Sequence, residues 1–245
     1  LCGKDRIHPS TDGHLVMAYL FLKAQGLAGK LVADIRIDGA GKKVTRSDNC
    51  RVSDLSVSSD NLTFTYEAKS LPYPIDTSYY DNEKHTQADA LSVIPFMDEM
   101  NYEGLSVSGL SDGYYGLTIG GEFIGRFTAR ELERGINMAL LQNTPQYKQA
   151  MKIRQMNEER WLKERKMREF YWVEYNLMRK TGMLWACNEA AVDTLRKYRP
   201  HDIFLQWNGD LWLQYMHKGI REDCVNEQQD LVNQIYEQNK PIPLR

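Results

Sequence analysis

The spacing of apolar positions changes twice along this 245-residue chain. Leu15, Ala18, Tyr19 and Leu22 recur at helical spacing and predict an amphipathic helix over 14–25, stopped by Gly26 and Gly29. Ser10, Thr11 and Asp12 stand before it as candidate caps. From about residue 31 strict alternation takes over. "LVADIRID", "CRVSDLSVS" and "NLTFTYEA" read as strands divided by turns at Asp38-Gly39 and Asp60-Asn61. "EGLSVSGL", "GYYGLTIGG" and "EFIGRFT" read as a meander with turns at Asp112-Gly113 and Gly120-Gly121. Between the two sets, residues 70–90 are polar and carry prolines, which predicts a long surface loop.

The helical period returns at Thr128. Thr128 followed by Glu131 forms a capping box ahead of "TARELERGINMALL". Thr144 as cap and Pro145 at the first helical position open a long helix that runs to about Lys180 and ends at Gly182. Its middle is densely charged, whereas Phe170 to Val173 is aromatic and apolar, so it is expected to bury only part of its length. Two further helices, about 188–198 and 211–238, are expected to be split by Pro200 and Gly209.

Composition narrows the classes. Apolar residues make up 42% and charged residues 26%, as in an ordinary globular protein, and the net charge of -2 gives no electrostatic case for nucleic acid. No apolar run is long enough for a membrane span. Cys2, Cys50, Cys187 and Cys224 follow no C-x-x-C spacing, which argues against a zinc ribbon or a thioredoxin-type site and favours free thiols.

Candidate chemistry gathers at the start of the chain. Asp5 and His8 are three apart with Pro9 following, a spacing that can fold the carboxylate onto one imidazole nitrogen and turn the other outward as a base. A lone D-x-x-H is also a common surface hydrogen-bond pair, with Asp5 capping the loop and His8 simply exposed. Three side chains are nucleophiles by type: Ser111, Ser10 and Cys2. Ser111 in "GLSDG" formally matches G-x-S-x-G, but that motif needs a strand before it and a helix after it, and here strands flank it on both sides. Ser10 suits a helix cap, and Cys2 an exposed chain-end thiol. Asp5, His8 and His14 include zinc-type ligands, but not at a compact-site spacing, so no metal is expected. His85, His201 and His217 each read as isolated, and Phe170, Tyr171, Trp172 and Val173 as a packing patch.

The wider string "DRIHPSTDGHLVMAYLFL" resembles the last sequence block of the SGNH (GDSL-type) hydrolases, D-x-x-H-P followed by a glycine and the final helix of an α/β domain. Further on, "GLSVSGLSDGYYGLTIGGEFIGRFTARELERGINMALLQNTPQYKQA" resembles the C-terminal extension of some of these hydrolases. There a β-rich module leads into "ELxxGINLA…TPxxxQA" and a long helix. The likeness covers about residues 3–180. It implies that His8 is the catalytic base and Asp5 its orienting acid, and that Gly13 and His14 belong to a helix start. The family's Gly-Asp-Ser nucleophile block and its oxyanion Gly and Asn do not occur in this chain.

The expectation is therefore an α+β chain in three parts. Residues 1–30 would be the last loop and helix of an SGNH-type three-layer α/β domain, 31–127 a small antiparallel β-rich module, and 128–245 a long-helix extension. The implied function is the C-terminal part of a serine esterase acting through an acyl-enzyme, with the Ser upstream of residue 1 and no cofactor. The implied substrate is a small ester or an acylated carbohydrate, the implied partner the N-terminal part of the hydrolase domain, and family habit tilts the location toward export. The competing reading is a non-catalytic binding module with a vestigial Asp5-His8 pair.

Overall fold

The computed structural model describes residues 1–3, 5–59, 61–78 and 84–245. It is an α+β protein of small sheets followed by long helices. The chain divides into two compact units, residues 1–152 with 238–245, and residues 153–237.

The first unit begins with α1 (Thr11–Ala24) and a four-stranded sheet ordered β2-β1-β5-β8. Its members are β1 (Ala33–Asp38), β2 (Lys43–Asp48), β5 (Glu103–Ser108) and the two-residue β8 (Ile136–Asn137). Alternation places Ala33, Ile35 and Ile37 of β1 beside Leu105 and Val107 of β5 in one core. On the other face Asp34 is buried and paired with Arg36 at 3.1 Å and Arg46 at 3.0 Å.

Two hairpins close over that core: β3 (Cys50–Val57) with β4 (Leu62–Ala68), and β6 (Tyr114–Ile119) with β7 (Glu122–Thr128). The three strands do not form the expected meander. β5 pairs with β1 in parallel and with β8, not with β6, so β6–β7 stands as a hairpin of its own. β2, between two clear strands, carried too little alternation to be foreseen; it is exposed along nearly its whole length. Of the Asp60-Asn61 turn, Asp60 lies outside the described residues.

The segment 70–90 is not simply a surface loop, and its residues 79–83 lie outside the described part. Ile75 and Asp76 are buried, Ile75 packing with Leu15 and Tyr19 of α1 and with Ile94, Phe96 and Met97 around α2 (Phe96–Glu99). Asn101 holds it through both backbone groups of one residue, accepting Tyr73 N–H at 2.7 Å and donating to Tyr73 O at 2.9 Å. Prolines in this stretch suit a backbone that donates few hydrogen bonds while it packs.

Thr128 and Glu131 form the expected capping box on α3 (Ala129–Arg134). That helix is shorter than its sequence suggested, because Gly135 at φ 96° turns the chain into β8. Asn137 follows as a clasp: Oδ1 accepts from Glu103 N and Ala139 N, and Nδ2 donates to Met97 O and Asn101 O. Such full use of one amide explains an Asn at this corner by architecture alone. Next comes α4 (Pro145–Val173), opened by Thr144 Oγ1 accepting Tyr147 N–H. Gln149 in its first turns donates to Gln238 O and Lys240 O and ties down the chain's last residues.

The second unit contains the rest of α4, a π-helical turn at Glu174–Met178, α5 (Glu189–Tyr198), α6 (Ile203–Tyr215) and α7 (Lys218–Gln238). Its core joins Phe170, Val173, Met178, Leu195, Leu205 and Trp212. Gly209 does not break a helix, as the sequence suggested; it lies inside α6, where an added Cβ would come within 3.2 Å of Arg199 Nε. The break falls instead at Met216–His217.

Candidate active site

The loop ahead of α1 is closed on itself. Cys2 bridges Pro9, Gly3 N–H donates to His8 O at 2.8 Å, and Arg6 N–H donates to Gly3 O at 3.0 Å. Arg6 takes the left-handed conformation at φ 59°, which lets so short a loop reverse. Asp5 lies at the centre of the turn. Its Oδ1 accepts the backbone N–H of Ile7 at 3.0 Å and of His8 at 3.1 Å, and its Oδ2 lies 2.5 Å from His8 Nδ1. The hydrogen bond from the His8 ring, followed by those two backbone donors, holds the Asp5 carboxyl down at about 2.

An ionised Asp5 accepts only, so Nδ1 of His8 must carry the proton in that bond. The tautomer is thereby fixed, and Nε2 is the nitrogen left with a lone pair. The His8 side chain is 83% exposed, so Nε2 faces solvent. The pair can take a proton from a hydroxyl brought to Nε2 and stabilise the resulting imidazolium through Asp5.

The structure brings Asp5 and His8 together and leaves the other candidates apart. Ser10 is buried; its hydroxyl donates to Asp12, and its carbonyl lies 3.1 Å from His14 Nδ1. It occupies the N-cap position of α1 without a side-chain cap bond, a role it passes to Asp12, which accepts Gly13 N–H at 2.8 Å. Burial alone would raise the Asp12 carboxyl, but the Ser10 hydroxyl and the Gly13 N–H hold it below the usual carboxylate range. His14 is thus turned to its own helix start rather than to Asp5 and His8. His85 Nδ1 approaches Asp12 at 3.8 Å. Ser111 sits in the connection between β5 and β6 with its carbonyl accepting Tyr115 Oη–H at 2.9 Å. Among the described residues no three His, Cys, Asp or Glu side chains gather as metal ligands would. No helix there is long and apolar enough to cross a membrane.

Three groups escaped the sequence reading. Glu103 is fully buried in β5; alternation with Leu105 and Val107 was the signal, since it sets Glu103 on the inward face. Burial raises its carboxyl to about 7, against the lowering effect of hydrogen bonds from Tyr66 and Gln146. Glu174 is 1% exposed and accepts Trp212 Nε1–H at 2.7 Å and Trp185 N–H at 2.8 Å. Cys187 Sγ lies 3.4 Å from His217 Nδ1, a pairing across 30 residues that no local pattern could announce. All four cysteines are unpaired with one another.

Residues 151–240 match a family model described as the diltiazem deacetylase C-terminal helical domain. No curated protein matches this sequence. The chain is similar over its whole length to a solved structure of a gut microbial diltiazem-metabolizing enzyme, with 41% identity and a TM-score of 0.93. It spans 55% of that longer protein.

Proposed function

We propose that this chain is the C-terminal part of an SGNH-type serine esterase that removes acetyl groups from small esters, with His8 as general base and acid and Asp5 as its orienting partner. The observation that carries the reading is the Asp5-His8 geometry: one nitrogen committed to an ionised carboxylate at 2.5 Å, the other open to solvent. The similarity to a diltiazem-metabolizing enzyme supports ester cleavage, and the deacetylase family model over residues 151–240 supports acetyl as the acyl group.

In this scheme a serine from the part of the protein preceding residue 1 attacks the ester carbonyl as its proton passes to His8 Nε2. The tetrahedral intermediate collapses when His8 returns that proton to the leaving alkoxide, which leaves an acetyl-serine and a free alcohol. Water then attacks the acetyl-serine as its proton passes to His8 Nε2, and His8 hands that proton to the serine oxygen as the acyl–oxygen bond breaks and acetate departs. Asp5 stabilises the imidazolium in both halves and stays ionised throughout.

The face of α1 turned away from its own core fits an enzyme completed by further chain. Leu15 and Tyr19 are buried, but Met17, Leu20 and Phe21 are 56–63% exposed at i, i+3 and i+4. In this proposal the N-terminal part of the hydrolase domain covers them. The division of the chain at 30/31 and 127/128 belongs to the same proposal.

The test uses the full-length parent protein and 4-nitrophenyl acetate. His8→Ala should lower kcat by about a thousandfold or more with an unchanged melting temperature, and Asp5→Asn by less. The 245-residue chain alone should not exceed the rate in buffer. Near-unchanged kcat in the His8 variant would refute the assignment.

A further inference from the structure

The last two residues of the chain lie where a strand is otherwise missing. Leu244 N–H donates to Tyr66 O and Tyr66 N–H to Leu244 O, both at 2.7 Å, an antiparallel bridge on the edge of β4 that β3 does not use. On the other side Gly120 N–H, at the tip of the β6–β7 hairpin, donates to Arg245 O at 2.6 Å. Leu244 and Arg245 therefore join β4 to the second hairpin as a central strand would, but for two residues only.

Beyond them β4 and β6 stand apart. A cleft of about 370 Å³ opens between residues 61–64 on one side and 116–119 on the other, and its floor is Ile35, Leu105 and Met138 of the core. Consecutive residues from both strands line it, as happens when a cleft runs along strand edges. In an antiparallel ladder the backbone groups facing one edge recur at every second residue. Since Tyr66 turns its N–H and C=O to Leu244, Phe64 and Leu62 turn theirs to the cleft. No described residue hydrogen-bonds with them there.

We infer that this cleft is a strand-docking slot that takes an extended peptide running antiparallel to β4. A strand continuing the direction of Leu244 and Arg245 meets Phe64 and then Leu62 at successive two-residue steps. Its main chain supplies the donors and acceptors that the β4 edge lacks. Its inward side chains land on Ile35, Leu105 and Met138 and must be apolar, while its outward ones face water and are polar. The ligand class is thus a peptide of four or five residues with alternating apolar and polar side chains and no proline at the pairing positions.

The slot is tested in the intact chain by appending Val-Thr-Val-Thr after Arg245, with Pro-Ser-Pro-Ser appended as the control. Tethering makes the encounter intramolecular, so weak pairing becomes visible. The amides of Leu62 and Phe64 should exchange at least tenfold more slowly with the Val-Thr tail than with the Pro-Ser tail, while those of β1 stay unchanged. Equal exchange in the two proteins would overturn the inference. Protection of Leu62 and Phe64 in the unextended chain that grows with protein concentration would overturn it in favour of pairing between copies. Binding of anilinonaphthalene sulfonate in the cleft that the Val-Thr tail does not displace would overturn it in favour of a small apolar ligand.

Discussion

Replacing Glu103 with Gln should make the first unit more stable at pH 8 and leave it little changed at pH 4.5. Glu103 Oε1 accepts Tyr66 Oη–H at 2.8 Å and Gln146 Nε2–H at 3.2 Å, whereas Glu103 Oε2 and Gln146 Oε1 are both buried without a partner. Two acceptors left over on neighbouring groups are a mismatch that one proton on Oε2 relieves. The carboxyl rises from 4.5 to about 7, with burial as the largest cause. The sign follows: a raised folded value means stability is complete below about 4.5 and is lost as pH climbs through 7. A rise of that size corresponds to about 3 kcal/mol. Glutamine supplies a permanent donor at Oε2's position, so the variant should lack this loss. All five tryptophans, at 161, 172, 185, 207 and 212, lie in the second unit, so their emission cannot report the effect. Amide exchange across β1 and β5, followed from pH 4.5 to 8.5 after correction for intrinsic rates, can. A difference between wild type and Glu103→Gln that stays constant across that range would refute the reasoning.

Other outcomes follow from the same geometry. Because the His8 ring and two backbone amides hold Asp5 at about 2, its ion pair should persist through pH 4 and part only as pH falls toward 2; His8 ring proton shifts that break near pH 4 would contradict this. Glu174→Ala strips a buried partner from Trp212 Nε1 and from Trp185 N–H, and should cost the second unit about 3 kcal/mol in urea titrations read by tryptophan emission. Glu174→Gln, which keeps an acceptor, should cost less. In the longer esterase proposed for this chain, His8→Ala and Asp5→Asn should lower kcat while leaving the melting temperature unchanged.

Strands with one wet and one buried face were legible because alternation is their signature: β1, β3, β4, β5, β6 and β7 all lie within the stretches that alternate. Their partners were not. A parallel β1–β5 pair joins residues about 70 apart, and nothing local in "EGLSVSGL" distinguishes a neighbour of β1 from a neighbour of β6. Caps were legible where side chain and spacing determine them, as at Thr128 and Thr144, but Gly209 misled. A glycine inside a helix signals close approach of another group as readily as a break, and here the group is Arg199. At the candidate site the D-x-x-H spacing placed Asp5 on His8 because both lie in one turn. Glu103 with Gln146, and Cys187 with His217, are assembled across 43 and 30 residues, beyond any spacing rule.

The helix behind the Asp5-His8 loop shows how the loop comes to be held. The sequence marks Leu15, Ala18, Tyr19 and Leu22 as one apolar face in need of cover, from an N-terminal part of the protein, from another copy or from the chain's own helices. The structure covers Leu15 and Tyr19 from within, using Ile75, Ala90, Ile94, Phe96 and Met97, and leaves Ala18 in solvent. Tyr19 also donates to Glu99 Oε2 at 2.7 Å, and Lys23 reaches the same oxygen at 2.7 Å, so α1 is fixed to the end of α2 by polar as well as apolar contacts. A buried Leu or Tyr contributes roughly 1.5–3 kcal/mol, enough for two such residues to seat a short helix on this core. The loop that carries His8 is therefore anchored through α1 to the β-rich unit rather than awaiting a partner to order it. What still faces water is the opposite side, Met17, Leu20 and Phe21. A helix apolar on both sides and buried on one suits a boundary element: one face supports the loop, and in the proposed enzyme the other would meet the N-terminal part of the hydrolase domain.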